Sequence, residues 1–248
     1  MASQRLLCVT AHPDDEAGGF GGSLLLYHAR GVETYIICLT PGQAATHRGG
    51  HLGEAELAAA RRNEFAASCR VLNVTHGEVL DYPDGRLDHV PLYAVVGDLV
   101  ARIRRIRPHV MITFGPEGAI TAHPDHSMAS IFATMAYHWA GRTNRYVDQL
   151  NDGVRPHRVQ KLYYATSPFT LPDRQPVALP PATTVIDIGE YLTTKINAFK
   201  AHTTQAPLFS IFEGTVQRRG HFEMFHLAAS VHPGPVQQET DLFAGVET

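Results

Sequence analysis

Leu6-Leu7-Cys8-Val9-Thr10-Ala11-His12-Pro13-Asp14-Asp15-Glu16 joins an apolar run to a histidine and three carboxylates. The first half reads as a buried strand and the second as a loop at its carboxyl end. Packing gives no reason to place so much charge there, and in open α/β sheets that edge is where ligands bind. Gly18-Gly19-Phe20-Gly21-Gly22 follows and leads into an apolar helix over 22–29, with Gly31 as its C-terminal cap. Glu33 to Thr40 is β-branched and apolar, a second strand. Strand, helix, strand at this spacing is a βαβ unit, which implies a parallel sheet.

A second stretch answers the first. His123-Pro124-Asp125-His126 follows another buried-strand run, Val110-Met111-Ile112-Thr113-Phe114, after a short loop. Two parallel strands of one sheet would bring both charged clusters to one crevice, and together they suggest a metal site. Pro124 sits where a first helical residue tolerates proline, opening a helix through about Trp139. His123 and His126 stand i and i+3 about that start, so their side chains reach one space.

Between the clusters, 41–53 is a glycine-containing loop carrying His47, Arg48 and His51, long enough to be a mobile flap. A helix is expected over 54–70, a third strand near 78–80, and then the turn Asp81-Tyr82-Pro83-Asp84-Gly85, with two more carboxylates at the same edge. The helix of about 92–107 carries Arg102, Arg104, Arg105 and Arg107, which read as a solvated face in preference to a nucleic-acid patch. Beyond Gly141, strands are expected over 161–165 and 183–188 and helices over 190–202 and near 213–228. The proline-rich tail from His232 is expected to fray.

With 248 residues, 44% of them hydrophobic, the chain can bury a full-sized core as one α/β domain spanning 1–248. A net charge of −3 argues against a general nucleic-acid binder. The three cysteines suit a reducing compartment and small core positions, not a disulfide framework. No apolar run approaches the roughly 18 residues of a membrane span, and the amino terminus has no signal-peptide pattern, so a cytoplasmic protein without membrane contact is expected. Histidine is abundant, at 15 residues, so only those in a ligand-like constellation are promoted.

A catalytic zinc takes three protein ligands and keeps a position open for water. His12 and Asp15 can supply two of them and one histidine of the second cluster the third. Water bound to such an ion, acidified to a pKa of about 7, is a nucleophile at neutral pH. Asp14, spare beside a ligand, can take that water's proton and pass it to a leaving group. The spare histidine can act at the carbonyl oxygen, held in orientation by Asp125. These are the parts of a metal-assisted hydrolase.

Ala11-His12-Pro13-Asp14-Asp15-Glu16 with Gly21-Gly22-Ser23 resembles the first motif of the PIG-L/LmbE-like family of zinc-dependent N-deacetylases, and His123-Pro124-Asp125-His126 resembles its second. Thr40-Pro41-Gly42, Arg61-Arg62-Asn63-Glu64, Tyr82-Pro83-Asp84-Gly85 and the segment from Lys195 to His202-Thr203-Thr204-Gln205 resemble further family motifs. The resemblance implies a Rossmann-like three-layer sandwich with a mostly parallel central sheet and a catalytic site at the carboxyl ends of the strands. It implies removal of an N-acetyl group from an N-acetylglucosamine-type amino-sugar conjugate, with one zinc ion held by His12, Asp15 and His126. Asp14 would be the general base, His123 the oxyanion stabiliser and Asp125 its orienting partner, while Arg61 and Asp84 would grip substrate hydroxyls. A homo-oligomer, trimer or hexamer, is also implied. Ala122 departs from the pattern, since a glycine usually precedes the second motif.

Two rivals remain open from the residues. The glycine run fits a dinucleotide-binding turn, but three carboxylates would repel a pyrophosphate, and no lysine follows to make a P-loop. The same zinc site could instead cleave a larger amide, as a thiol-conjugate amidase or a natural-product tailoring deacylase does. Pocket shape decides that, and specificity is expected in the 41–53 loop and the 141–182 region.

Overall fold

The computed structural model describes residues 3–151, 153–171, 174–232 and 234–247. Its centre is β1 (Arg5–Thr10), whose Leu6, Leu7, Cys8 and Val9 are wholly excluded from solvent. Such a continuous apolar run fits a strand covered on both faces. β1 pairs in parallel with β2 (Glu33–Cys38) on one side and β4 (Val110–Thr113) on the other. With β3 (His76–Val79), β5 (Lys161–Thr166), β6 (Thr184–Asp187) and β7 (Phe222–Ser230) the sheet runs β3-β2-β1-β4-β5-β7-β6. The first five strands in that order are parallel, and β7 is antiparallel to both neighbours. Strand order reverses between β1 and β4, which opens a crevice at their carboxyl ends. Both charged motifs leave the sheet there.

The helices are α1 (Asp15–Ala29), α2 (Glu54–Val71), α3 (Leu92–Ile106), α4 (Pro124–Ala140), the short α5 (Val147–Asn151), α6 (Leu192–Lys200) and α7 (Phe209–Arg219). α3 packs on α4, whereas α1 and α2 both pack on α6, giving a layer on each side of the sheet. The expected Rossmann-like sandwich is therefore the fold. Cys8, Cys38 and Cys69 are free and buried, as small core side chains. Among the described residues no helix is long and apolar enough to cross a membrane.

The structure corrects four expectations. α1 begins at Asp15, so the glycine run is helical and not a lead-in. Glycine costs a helix about 1 kcal/mol per residue relative to alanine, and close packing offsets it here: a Cβ on Gly22 would stand 2.7 Å from Ile188 Cβ. The helix expected near 213–228 is α7 followed by β7, separated at Gly220, whose φ of 71° is left-handed. Inward Glu223 and Phe225 alternate with half-exposed neighbours, the period of a strand, but a charged inward residue hides that period from a hydrophobicity reading. The basic face of α3 is only partly solvated: Arg104 is buried and donates to the carbonyls of Ala140, the last residue of α4, and of Arg142 and Arg145 beyond it. Finally, the tail from Glu239 is packed. Glu239 exchanges backbone hydrogen bonds with Thr183 and Val185 and meets Lys161 Nζ and the Tyr163 hydroxyl at 2.7 Å, while Leu242 is buried beside Tyr27.

One buried ion pair ties α6 to the sheet. Lys195 Nζ lies 2.5 Å from Glu223 Oε1, and Glu223 also accepts from the amides of Gly22 and Ser23 in α1. Removing one partner of such a pair strands the other charge. Lys195→Met is expected to lower unfolding stability by about 3–5 kcal/mol, measured by denaturant titration against the parent chain.

Candidate active site

His12 follows β1 after Ala11, and Asp15 opens α1 three residues later. Asp15 Oδ2 accepts from the amides of Ala11 and His12, at 3.2 and 2.7 Å, which fixes the turn. His123 caps α4, with its Nδ1 accepting from the Asp125 amide at 3.1 Å, and His126 lies in the first turn behind it. The two clusters meet as expected. Asp15 Oδ1 stands 3.1 Å from His126 Nε2, and Asp15 Oδ2 stands 3.5 Å from His12 Nδ1. One ring nitrogen from each of His12, His123 and His126 lies within 4.8 Å of the others.

The far edges of the two expected ligand rings are held by other groups. His12 Nε2 faces Asp84 Oδ1 at 3.1 Å and Asp125 Oδ2 at 3.2 Å. His126 Nδ1 faces the Thr121 hydroxyl at 3.1 Å, and its ring stacks on Phe114 with centroids 4.0 Å apart. Metal-ligating histidines are oriented through their second nitrogen in this way. The donors left facing one another are His12 Nδ1, Asp15 Oδ1 and His126 Nε2, a nitrogen and oxygen set that fits a divalent ion such as zinc. A second group besides the three histidines, His12, Asp84 and Asp125, also brings one ligand atom from each residue within 4.8 Å of the others. Its carboxylates are already committed to backbone amides, Asp84 to Ala44 at 2.7 Å and Asp125 to Gly85 and Leu87 at 2.6 and 3.2 Å. They serve as anchors for His12. Burial works to lower the His12 pKa, but contacts with Asp125, Asp15 and Asp84 overrule it and raise it well above the usual value.

Asp125 thus departs from its expected part. Its carboxylate orients His12, and only its backbone amide touches His123. Because His123 Nδ1 accepts that amide, the ring proton sits on Nε2. Burial, with His12 and His126 nearby, depresses its pKa to about 4, so the ring is neutral near pH 7.

Asp14 occupies an unusual place. Its φ of 118° is a left-handed conformation that a residue with a Cβ rarely adopts, and such strain persists only where neighbours over-determine it. Three contacts do so. The Asp14 amide donates to Glu16 Oε2 at 2.9 Å, its carbonyl accepts from Gly18, and Arg61 Nη2 pairs with its carboxylate at 2.8 Å. Burial pushes the Asp14 carboxyl up to about 6 against the pull of Arg61.

Arg61 and Asp84, expected as substrate contacts, line the cleft but carry internal work. Arg61 is buried and also donates to the carbonyls of Pro13 and Gly42. Gly42, at φ 69°, has no room for a Cβ beside that guanidinium. The 41–53 loop, expected as a flap, is pinned in turn by Arg61 at Gly42, by Asp84 at Ala44 and by Gln205 at His47. Ala122, standing where a glycine is usual, holds a left-handed φ of 53° and so carries the strain that glycine would avoid.

Sequence reading left the braces unpaired. Glu16 Oε1 lies 2.6 Å from Ser68 Oγ and 2.7 Å from His202 Nε2, all three being buried. Glu64 accepts from Thr203 and from both the amide and the hydroxyl of Thr204. The carboxylate of the R-x-x-E segment and the hydroxyl donors of the H-x-[ST]-Q segment are the one signal that could have paired them. Ser68 and Thr121 carry none.

The cleft over these groups holds about 570 Å³ and is lined by His12, Asp14, Asp15, His123 and His126 at one end. Known proteins share this arrangement of chain. The 1D-myo-inositol 2-acetamido-2-deoxy-alpha-D-glucopyranoside deacetylase of Rhodococcus opacus is 32% identical, over 83% of this chain and 82% of its own length. The diacetylchitobiose deacetylase of Thermococcus kodakarensis is 29% identical, over 82% of this chain and 71% of its own. The N,N'-diacetylchitobiose deacetylase of Pyrococcus horikoshii has the same fold, with a TM-score of 0.75, 24% identity, and coverage of 91% of this chain and 84% of that one. The family model for GlcNAc-PI de-N-acetylases matches residues 7–137, from the first strand through the second histidine motif and most of α4. By that match, and by the relative at 32% identity, the chain belongs to the PIG-L family.

Proposed function

We propose that the chain is a zinc-dependent N-deacetylase that hydrolyses the acetamido group of an N-acetylglucosamine-type conjugate to acetate and a free amine. The observation that carries this reading is the convergence of His12 Nδ1 and His126 Nε2 on Asp15, with Asp14 held rigidly alongside. His12, Asp15 and His126 would hold the ion, which supplies Lewis-acid chemistry by acidifying a water and polarising the amide carbonyl.

The chain's own groups do the rest. Asp14 accepts a proton from the attacking water, and with a pKa of about 6 it is ionised at neutral pH yet basic enough to matter. As the carbon–nitrogen bond breaks, the same carboxyl returns that proton to the departing nitrogen. Arg61 keeps Asp14 aimed and its charge compensated. His123, neutral and protonated on Nε2, donates to the carbonyl oxygen as negative charge builds there. The Asp84 and Asp125 carboxylates hold His12 with its other nitrogen facing Asp15. Residues 1–248 are read as one such domain, and the three buried free cysteines suit a cytoplasmic site of action.

The decisive experiment measures acetate release from N-acetylglucosaminyl-inositol and N,N'-diacetylchitobiose, on protein of determined metal content. Chelator-sensitive release is expected, restored by zinc; bound zinc with no release from either would overturn the deacetylase reading. Asp14→Asn is expected to lower kcat by about 10²–10⁴-fold while metal content by atomic absorption stays that of the parent. His12→Ala is expected to lose metal and turnover together. For His123→Phe, a loss of about 10²–10³-fold in kcat is expected with metal retained, and an unchanged kcat would remove His123 from the mechanism.

A further inference from the structure

The metal-type group fills only one end of the cleft, and α1 serves as a ruler along it. Asp15 stands at the metal end, Phe199 packs where Gly18 would carry a Cβ, and Lys195 packs at Gly21. At ~1.5 Å of rise per residue, the Lys195 level lies about 9 Å from Asp15. There the lining changes character. Leu192, Phe199, Leu208, Phe212, Val216 and Phe222 form the walls.

α7 supplies two of these side chains and buries none of its residues, although Phe212 stacks on Phe199 at 3.9 Å between ring centroids. α7 thus packs Phe212 on the core and turns Ile211 and Val216 towards the cleft. Burying such surface is worth about 25 cal/mol per Å², a gain that a wholly polar sugar conjugate would leave unused.

Among the described residues, the charge lining this end is one-sided. The described lining residues here include Arg174, Lys195 and Arg219 but no Asp or Glu; the lining carboxylates, Asp14, Asp15 and Asp84, all stand at the metal end. Lys195 is neutralised by Glu223, whose oxygens also serve two backbone amides. Arg219 feels the charge of the same Glu223 but makes no hydrogen bond to it: its Nε is buried and has no hydrogen-bond partner among the described residues. A buried donor without a partner is costly unless a ligand supplies one.

We propose that the far half of the cleft is a substrate subsite for an apolar aglycone bearing an anionic group, its chain lying between α6 and α7 and its anion meeting Arg219. This rests on the deacetylase reading for the reacting end, and it adds a requirement that an inositol glycoside or chitobiose does not meet.

The test uses the zinc-loaded full chain with methyl, octyl, ω-carboxyoctyl and ω-phosphooctyl N-acetylglucosaminides. The octyl glycoside is expected to exceed the methyl one in kcat/KM by on the order of tenfold or more, and one of the anionic glycosides to exceed octyl by about tenfold again, which also identifies the anion. Val216→Gln, or the more conservative change at an exposed position, Ile211→Gln, should bring the octyl-to-methyl ratio towards unity. Arg219→Gln should erase only the anionic increment. Equal kcat/KM for all four glycosides would overturn the subsite and leave the deacetylase reading standing. If none is turned over, the deacetylase reading fails, and calorimetric titration with nonanoate still decides the subsite: binding weakened by Arg219→Gln supports it, and no binding overturns it. Concentration-dependent self-association abolished by Ile211→Gln, with the ratios unchanged, would assign this face to a second copy and likewise overturn the proposal.

Discussion

A carboxylate with no access to solvent holds the site together. Glu16 sits in the first turn of α1, where an acidic side chain is favoured by the helix dipole, and its two oxygens answer three elements at once. One accepts from the amide of Asp14; the other meets Ser68 on α2 and His202 after α6. Desolvation alone would push such a carboxyl towards neutrality, yet His202, Ser68 and the Asp14 amide together keep its pKa below the usual value. A buried charge is tolerable only when its lone pairs are this well met. The geometry of Asp14, the residue with the least comfortable backbone in the site, is therefore set partly by a histidine 188 positions away in the chain.

Further contacts of this kind tie the carboxyl-terminal third to the motifs. Glu64, three residues after Arg61, receives the Thr203 and Thr204 hydroxyls, and Gln205 reaches the His47 carbonyl. So α2 holds Asp14 with Arg61 and the 203–205 turn with Glu64, from adjacent turns of one helix. The 41–53 loop lies between them and inherits its position from both. Gly42, Ala44 and His47 of that loop are placed by hydrogen bonds to their backbone, which suits a preorganised site more than a swinging flap.

Much of this was legible in the chain itself, because the informative signals were local. A buried strand ending in His12 to Glu16, and another followed by His123 to His126, locate the crevice through the parallel-sheet rule without any tertiary information. What could not be read was pairing at long range. Asp125 looks from sequence like the partner of His123 two residues away, but α4 turns its carboxylate across the crevice to His12. Asp84 and Arg61 look like ligand grips because they match family positions that grip substrate hydroxyls. In the fold they line the cleft and also pair with His12 and Asp14. In each case the sequence names the chemistry of a side chain, and only the fold names which of several compatible partners it meets.

The same limit governs β7. A strand with Glu223 pointing inward contradicts the alternation that identifies half-buried strands, so periodicity favours a helix. The contradiction disappears once Lys195 and the amides of Gly22 and Ser23 are placed around that carboxylate. Glycine at 22 serves two ends there: it admits Ile188 against α1, and it brings the helix backbone close enough for its amide to reach Glu223. The glycine run after the first motif, which invites a nucleotide-binding reading, is thus explained by packing. It lets α6 and the segment entering it lie down on α1, and that contact carries the cleft beyond the metal-type end.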